Sequence, residues 1–482
     1  MRLRSTLYMV GILIIFLGLT MIWPLMFGLF YQDRSVWPLL RSMGITLGSG
    51  ALLTVLFKKW KVNIISHREG MAIVALGWAA AGFFGAFPFY LSNTFDTFGD
   101  ALFESVSGFT TTGASVLSNI EDVPRGILFW RSLTHWLGGM GIIVLSLAVL
   151  PFLGVGGMQL YKAEVPGPTP DKLKPRIKDT AAVLWKVYLL LSVSEMVLLM
   201  FGGMDLFEAL CHTFGTMATG GFSTRSGSIA DYKSGYVDTV IMIFMFLAGI
   251  NFALHYQCLK GKPFALWRDP EFRFFSGTLI LFILLVTLNI YGSVYSRFLD
   301  ALHFGAFQLV SIITTTGYVT ADYEKWPSLA QNILVLCMFL GASTGSTGGG
   351  MKCMRLMLLL KHSYRELFRL IHPHAVTQIK LGGRPVQHDV MESIWGFFIL
   401  YLGLFILSSF LLVAMGVDGV TSFAAVAATI GNIGPGLGMV GPMENYALLP
   451  VAAKWLLIFC MLLGRLEIYT VIILLVPEFW RK

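Results

Sequence analysis

Ten apolar runs, each long enough to cross a bilayer at about 20 residues per span, lie at about 6–30, 37–57, 71–91, 127–155, 181–203, 236–258, 274–296, 331–361, 390–416 and 450–477. Shorter apolar stretches fall between some of them, at about 98–112, 205–219, 300–316 and 419–433. These are too short to cross. Each ends in small residues and glycine, as a re-entrant half-helix does where its chain turns back through the membrane. The pattern predicts an all-α membrane protein: an N-terminal two-helix unit, then four helix–half-helix–helix (M1–P–M2) units.

The basic residues orient these spans. They cluster after alternate crossings: Arg2 and Arg4; Lys58, Lys59, Lys61 and Arg68; Lys162, Lys172, Lys174, Arg176 and Lys178; Lys260, Lys262, Arg268 and Arg273; Lys352 through Arg384; Arg481 and Lys482. Roughly 24 of the 35 Lys and Arg fall on that one side, which the positive-inside rule assigns to the cytoplasm. The intervening loops are poor in base: Ser92–Gly99 has none and Thr320–Ala330 has Lys325 alone. Both termini are then inside, and every half-helix lies in an outer connection. Four units of one orientation are related by an axis along the membrane normal, which is the geometry of a single central pore. The expected division is 1–60 for the two-helix unit, then repeats at 61–165, 166–262, 263–385 and 386–482.

Composition agrees with this picture. Charged residues make up 13% of the chain, against roughly 25% in soluble domains, so the exterior must be hidden in lipid. The net charge of +8 is then topological, and no nucleic-acid partner is expected. Cys211, Cys258, Cys337, Cys353 and Cys460 have neither CxxC nor CxxH spacing and read as small apolar filler. The first run, Thr6 to Phe30, exceeds a signal-peptide core and reads as a retained helix.

The repeat is also legible in residues. LFESVSGFTTTGAS (Leu102–Ser115) and AFQLVSIITTTGYV (Ala306–Val319) share phenylalanine, valine, serine and an intact TTTG at matched positions. ALCHTFGTMATGGFS (Ala209–Ser223) and SFAAVAATIGNIGPG (Ser422–Gly436) are weaker copies. Aligned so, Gly113, Gly221, Gly317 and Gly434 are equivalent, about 108, 96 and 117 residues apart.

Threonine and glycine just past a half-helix suit a dehydrated monovalent cation. Glycine lets successive carbonyls point inward, rings of carbonyls replace the hydration shell, and the half-helix C-termini add negative potential without a carboxylate. The expected filter is Thr111, Thr112 and Gly113; Thr219, Gly220 and Gly221; Thr315, Thr316 and Gly317; Asn432, Ile433 and Gly434. An acidic ring, the mark of a calcium-type site, is absent from the sequence there. The competing reading is that small residues ease helix packing, which four matched copies weigh against.

The run at 331–361 is interrupted by GASTGSTGGG (Gly341–Gly350), which cannot continue a helix in lipid. Gly341, Gly345, Ser346, Thr347, Gly348, Gly349 and Gly350 are expected to form a flexible constriction below the filter, or else a passive break. Arg465, mid-way along the last span in LLGRLEIY, must face protein or water. It is expected as a positive charge under the filter, with a salt bridge to Glu467 or hydrogen bonds to loop carbonyls as the structural alternative. His135, Glu104 and His212 sit in or near half-helices; Glu104 reads as an isolated polar group bonded to backbone, with tuning of the filter field as the alternative, and Asn251 as cavity lining. GSTGGGMK (Gly345–Lys352) and GLGMVG (Gly436–Gly441) imitate nucleotide-binding loops but lack the strand that such loops follow.

In combination, TTTGA, GGFST, TTTGY, NIGPGLG, GSTGGGMK, LLGRLEIYT and GGMQLYKAEVPGP resemble the TrkH branch of the superfamily that also contains KtrB and the plant HKT proteins, over nearly the whole chain. The resemblance implies a K⁺-uptake protein of the bacterial inner membrane, working as a homodimer with one pore per subunit. It further implies cytoplasmic TrkA-like nucleotide-binding regulatory subunits, surrounding membrane lipid, K⁺ as the transported ion and no bound organic cofactor. The family's filter glycines carry over to Gly113, Gly221, Gly317 and Gly434, its intramembrane loop to Gly341–Gly350 and its pore arginine to Arg465. In plant relatives a serine at the first filter glycine goes with sodium transport; Gly113 favours potassium. A symporter driven by H⁺ or Na⁺ is the alternative and needs a carboxylate in the path, for which Glu104 and Glu467 are candidates. A membrane-embedded enzyme finds no HExxH, CxxC or paired carboxylates in the spans.

Overall fold

A computed structural model describes residues 2–61, 66–141, 177–375, 377–386 and 388–480. The end of the run at 127–155, the GGMQLYKAEVPGP stretch, and Lys162, Lys172, Lys174, Arg176, Arg481 and Lys482 lie outside the described residues. Apart from a two-residue-per-strand hairpin, Lys380–Leu381 with Arg384–Pro385, the regular structure among the described residues is helical. Large apolar side chains such as Phe201, Leu288 and Phe410 are exposed, while the mainly apolar interior also holds the fully buried polar groups Thr111, Thr112, Gln308 and Asn432. An exterior of that kind fits a solvent of lipid.

Two spans, Leu3–Tyr31 and Val36–Trp60, form the N-terminal pair. They meet through small residues, since a Cβ at Gly50 would lie 2.9 Å from the Gly11 carbonyl oxygen. The first unit then runs through a lead helix, Arg68–Leu91, a half-helix, Phe98–Phe109, and a return helix, Arg125–Trp136, which passes into a π-turn at Leu137–Gly141. The second has Ile177–Phe201, half-helix Leu206–Met217 and return helix Gly235–Ala248. The third has Pro270–Ile290, Phe298–Ile313 and Ser328–Leu340. The fourth has His388–Ala414, Gly419–Ile430 and Val451–Arg465.

Each half-helix packs on its own two flanking helices and on the return helix of the preceding unit. Leu206–Met217 touches Arg125–Trp136, Phe298–Ile313 touches Gly235–Ala248, Gly419–Ile430 touches Ser328–Leu340, and Phe98–Phe109 touches Val451–Arg465. The last contact joins the fourth unit to the first. The arrangement is a closed ring.

Three return segments depart from straight spans. The run at 236–258 bends by 101° between Gly235–Ala248 and Phe252–Leu259. The third breaks at Gly341 and resumes as Cys353–Ile371. The run at 450–477 is not one helix either: it bends by 113° between Val451–Arg465 and Tyr469–Leu475. Arg465 therefore ends a helix instead of sitting mid-way along one.

Candidate functional site

The four half-helices end identically. Thr111 N–H donates to the Gly108 carbonyl (3.0 Å) and Thr112 N–H to Ser107 (2.9 Å). Thr219 and Gly220 bond to Thr216 and Gly215 (2.9 and 2.7 Å), Thr315 and Thr316 to Ile312 and Ser311 (3.0 and 2.8 Å), and Asn432 and Ile433 to Thr429 and Ala428 (3.2 and 2.8 Å). This is the Schellman C-cap, which needs one left-handed residue and usually takes glycine. Here it takes Thr111, Thr219, Thr315 and Asn432, at φ of 51°, 54°, 60° and 54°. A threonine in that region is strained by about 1–3 kcal/mol, and such strain concentrates at functional positions. Two residues on, Gly113, Gly221, Gly317 and Gly434 are left-handed again, at 79°, 79°, 82° and 100°. Backbone alternating in handedness turns successive carbonyls to one side, as a carbonyl-lined path requires.

The four segments also touch in a ring. A Cβ at Gly113 would lie 2.1 Å from the Gly220 carbonyl oxygen, one at Gly221 2.1 Å from Thr316, one at Gly317 1.9 Å from Ile433, and one at Gly434 2.8 Å from Thr112. Each glycine thus lies against the carbonyl preceding the equivalent glycine of the next unit, and the circuit closes. No side chain fits at the first three positions. A funnel of about 140 Å³ opens over this ring, lined by all four glycines together with Ser115 and Arg131.

Behind the ring, the residue nine before each of the first three glycines braces the chain that follows it. Glu104 accepts from Ser115 Oγ (2.9 Å) and Val116 N–H (3.0 Å). His212 Nε2 meets Ser223 Oγ at 3.1 Å. With its amide oxygen toward Thr320, Gln308 accepts from the N–H groups of Thr320 (2.8 Å) and Ala321 (3.1 Å). The fourth position is Ala425, and there Tyr446 donates its hydroxyl to the Gly434 carbonyl (2.7 Å) instead. Glu104 is more than an isolated polar group. It forms a fully buried ion pair with Arg131 (2.6 Å), which also donates to the Ser223 carbonyl (2.9 Å) and stacks over Phe222, its guanidinium carbon 3.6 Å from the ring centroid. His135 stacks on the same phenylalanine from 4.0 Å.

The loop at Gly341–Gly350 lies directly against the cap residues. Gly349 N–H donates to Thr315 Oγ1 (2.7 Å), and a Cβ on Gly349 would lie 2.6 Å from the Gly431 carbonyl. Thr347 Oγ1 donates to the Met217 (3.0 Å) and Ala248 (3.2 Å) carbonyls. Lys352 Nζ returns to the Gly348 carbonyl. Ser343 N–H bonds to Gly249 (3.0 Å), and Phe252 N–H bonds to the Gly345 carbonyl (3.1 Å). Asn251, expected as cavity lining, caps Phe252–Leu259 through Ala253 N–H (2.9 Å) and packs against Gly345. Glu271 Oε1 accepts from Thr344 N–H (2.7 Å) and Met354 N–H (3.1 Å). The loop thus bridges units two, three and four.

Arg465 adds the first. Its guanidinium donates to the Thr347 carbonyl (2.7 Å) and to the Gly138 (2.6 Å) and Gly139 (2.7 Å) carbonyls in the π-turn. Of the two structural alternatives, the bonds to loop carbonyls are present. The Glu467 carboxylate instead pairs with Arg355. The expected positions are therefore brought together in two layers, with the loop beneath the four caps.

A helical membrane protein whose half-helices converge on a backbone ring, with a loop packed below it, has the architecture of a membrane transport protein. The family model described as "Cation transport protein" (TrkH) matches residues 40–482. The Trk system potassium uptake protein TrkH of Escherichia coli is 44% identical over 486 residues, covering 100% of both chains. TrkG of the same organism, also a Trk system potassium uptake protein, is 39% identical over 99% of each chain. The crystal structure of the potassium transporter TrkH from Vibrio parahaemolyticus superposes with a TM-score of 0.90 at 38% identity, over 100% of both chains. The chain is a member of the TrkH family, a family of transporters and not of enzymes.

Proposed function

We propose that this chain carries out gated potassium uptake through a channel-like pore. The filter is formed by Thr111, Thr112 and Gly113, Thr219, Gly220 and Gly221, Thr315, Thr316 and Gly317, and Asn432, Ile433 and Gly434. The observation that carries this reading is the closed circuit of glycine-to-carbonyl contacts from Gly113 round to Thr112. Carbonyl oxygens brought so close around an axis substitute for the water of a monovalent cation. Four half-helix C-termini aimed at the same place add about −0.5 charge each.

Gly341, Gly345, Ser346, Thr347, Gly348, Gly349 and Gly350 form the gate, and Arg465 holds it shut. In support, the loop lies against Thr315 and Asn432 and is tied by Arg465 to the opposite wall. Residues 1–60 are the peripheral two-helix unit, and 61–165, 166–262, 263–385 and 386–482 are the pore repeats. On the resemblance of its motifs to that family, the protein works as a homodimer in the bacterial inner membrane under TrkA-like nucleotide-binding subunits, and the positive-inside charge pattern sets both termini in the cytoplasm. Coupled H⁺ or Na⁺ symport is the weaker reading, because its candidate carboxylates, Glu104 and Glu467, are held in ion pairs by Arg131 and Arg355.

The deciding experiment is ⁸⁶Rb⁺ uptake by the purified protein in liposomes, with K⁺ and Na⁺ as competitors. K⁺ should compete and Na⁺ should not, and uptake should persist after the proton gradient is collapsed. Arg465→Ala, or trimming Gly345–Gly350, should raise basal uptake. Equal or lower uptake in both would show the gate to be elsewhere.

A further inference from the structure

The fourth return helix breaks in an unusual way. Gly464 stands in the last turn before the bend, but the residues that turn the chain are Glu467 and Ile468, both left-handed at φ of 60° and 49°. For a β-branched isoleucine that conformation is a genuine outlier, held only when its surroundings dictate it. Ile468 N–H is anchored to the Leu463 carbonyl (2.8 Å). The break fixes where the side chains just before it and within it go. Arg465 reaches the gate loop at Thr347. Glu467 reaches Arg355, in the first turn of Cys353–Ile371, the helix into which the gate loop runs. Both side chains are nearly buried, at 11% and 10% exposure, and the Arg355 guanidinium carbon lies 3.9 Å from the ring centroid of Phe397 on the fourth lead helix.

We propose that Arg355 and Glu467 are a second latch of the gate, positioning residues that hold the loop's exit helix to the break of the fourth return helix. The inference rests on the reading of Gly341–Gly350 as the gate. Arg465 and Glu467, two residues apart, then secure both the loop and the helix that would draw it aside. Apart from the bonds that Arg465 and Lys352 donate to its carbonyls and those to Glu271, the loop's ties are hydrogen bonds to neutral groups, whereas this pair joins two full charges shielded from water. Parting it separates two opposite charges that water barely reaches, which makes it a strong hold on the closed form. The exit helix moves only when the pair opens.

The test is ⁸⁶Rb⁺ uptake in liposomes without any regulatory subunit. Arg355→Gln and Glu467→Gln, on different elements so that either suffices if the other misfolds, should each raise basal uptake about tenfold. The K⁺-over-Na⁺ preference should not change. The charge-swapped R355E/E467R should return uptake toward that of the parent. A merely structural role would lower thermal stability and uptake together, with no rescue by the swap. Unchanged uptake in the single variants while Arg465→Ala raises it would overturn the latch but keep the gate. Raised uptake that the swap leaves raised would overturn the pairing as its cause. If Arg465→Ala and loop trimming also leave uptake unchanged, the gate reading itself fails.

Discussion

At the scale of single residues, the chemistry turns on backbone handedness and close approach. Gly113 is left-handed and sits against the Gly220 carbonyl, so Gly113→Ser must push that carbonyl out of place. Its K⁺-over-Na⁺ preference in competition flux should fall about tenfold, the equivalent of ~1.4 kcal/mol; an unchanged ratio would remove Gly113 from the filter. Behind the ring, Glu104→Ala leaves Arg131 charged in a dry site. It should lower unfolding stability in detergent by about 3–5 kcal/mol, and E104M/R131M should lose less than the sum of its single changes. The TTTG copies made the glycines and their neighbours readable. The left-handed Thr111, Thr219 and Thr315 were not, because β-branched residues disfavour that region and only tertiary packing imposes it. Arg131 escaped notice because its partner Glu104 lies 27 positions away. An unbalanced carboxylate inside an apolar half-helix was the available signal.

At the scale of elements, the half-helices differ at their starts. Thr97, Asp205 and Asp418 each accept a hydrogen bond from the backbone N–H three residues on, whereas Arg297, at the head of Phe298–Ile313, makes no side-chain cap. Arg297→Asp should supply the missing acceptor and favour the helix dipole, adding about 1 kcal/mol of stability. Thermal unfolding in detergent checks this, and a lowered midpoint would contradict it. The long helices and half-helices follow from hydrophobic run length alone, and the break at Gly341 from its glycines. The bend at Glu467 was not legible in the sequence because LLGRLEIYT holds a single glycine, Gly464, and one glycine does not by itself end a helix. What breaks it is the fit of Arg465 and Glu467 to partners far along the chain.

At the scale of the whole molecule, the loop is the place where all four units meet, so its displacement should be detectable from the cytoplasm. Ser343 is buried, and of the native cysteines Cys211, Cys337, Cys353 and Cys460 are buried while Cys258 is partly exposed. In a Cys258→Ser background, Ser343→Cys should resist a membrane-impermeant maleimide when uptake is low. It should react when Arg465→Ala is added, read as a mass shift. Equal labelling in both states would argue against loop movement. The order of the ring was legible in part: parity and charge predicted four like-oriented units, but not which return helix seats which half-helix. That order arises from packing between segments distant in the chain, and its closing contact, Val451–Arg465 on Phe98–Phe109, joins segments more than 300 positions apart.

Because one polypeptide supplies every corner of the ring, its corners are chemically unequal: threonine stands at three caps and asparagine at the fourth, and Ile433 takes the place of Thr112. In a pore assembled from identical subunits, any substitution arrives in quadruplicate. Here one corner can be edited while the others stay native, so the toll of one, two, three or four altered carbonyls on the proposed filter can be titrated within a single gene product.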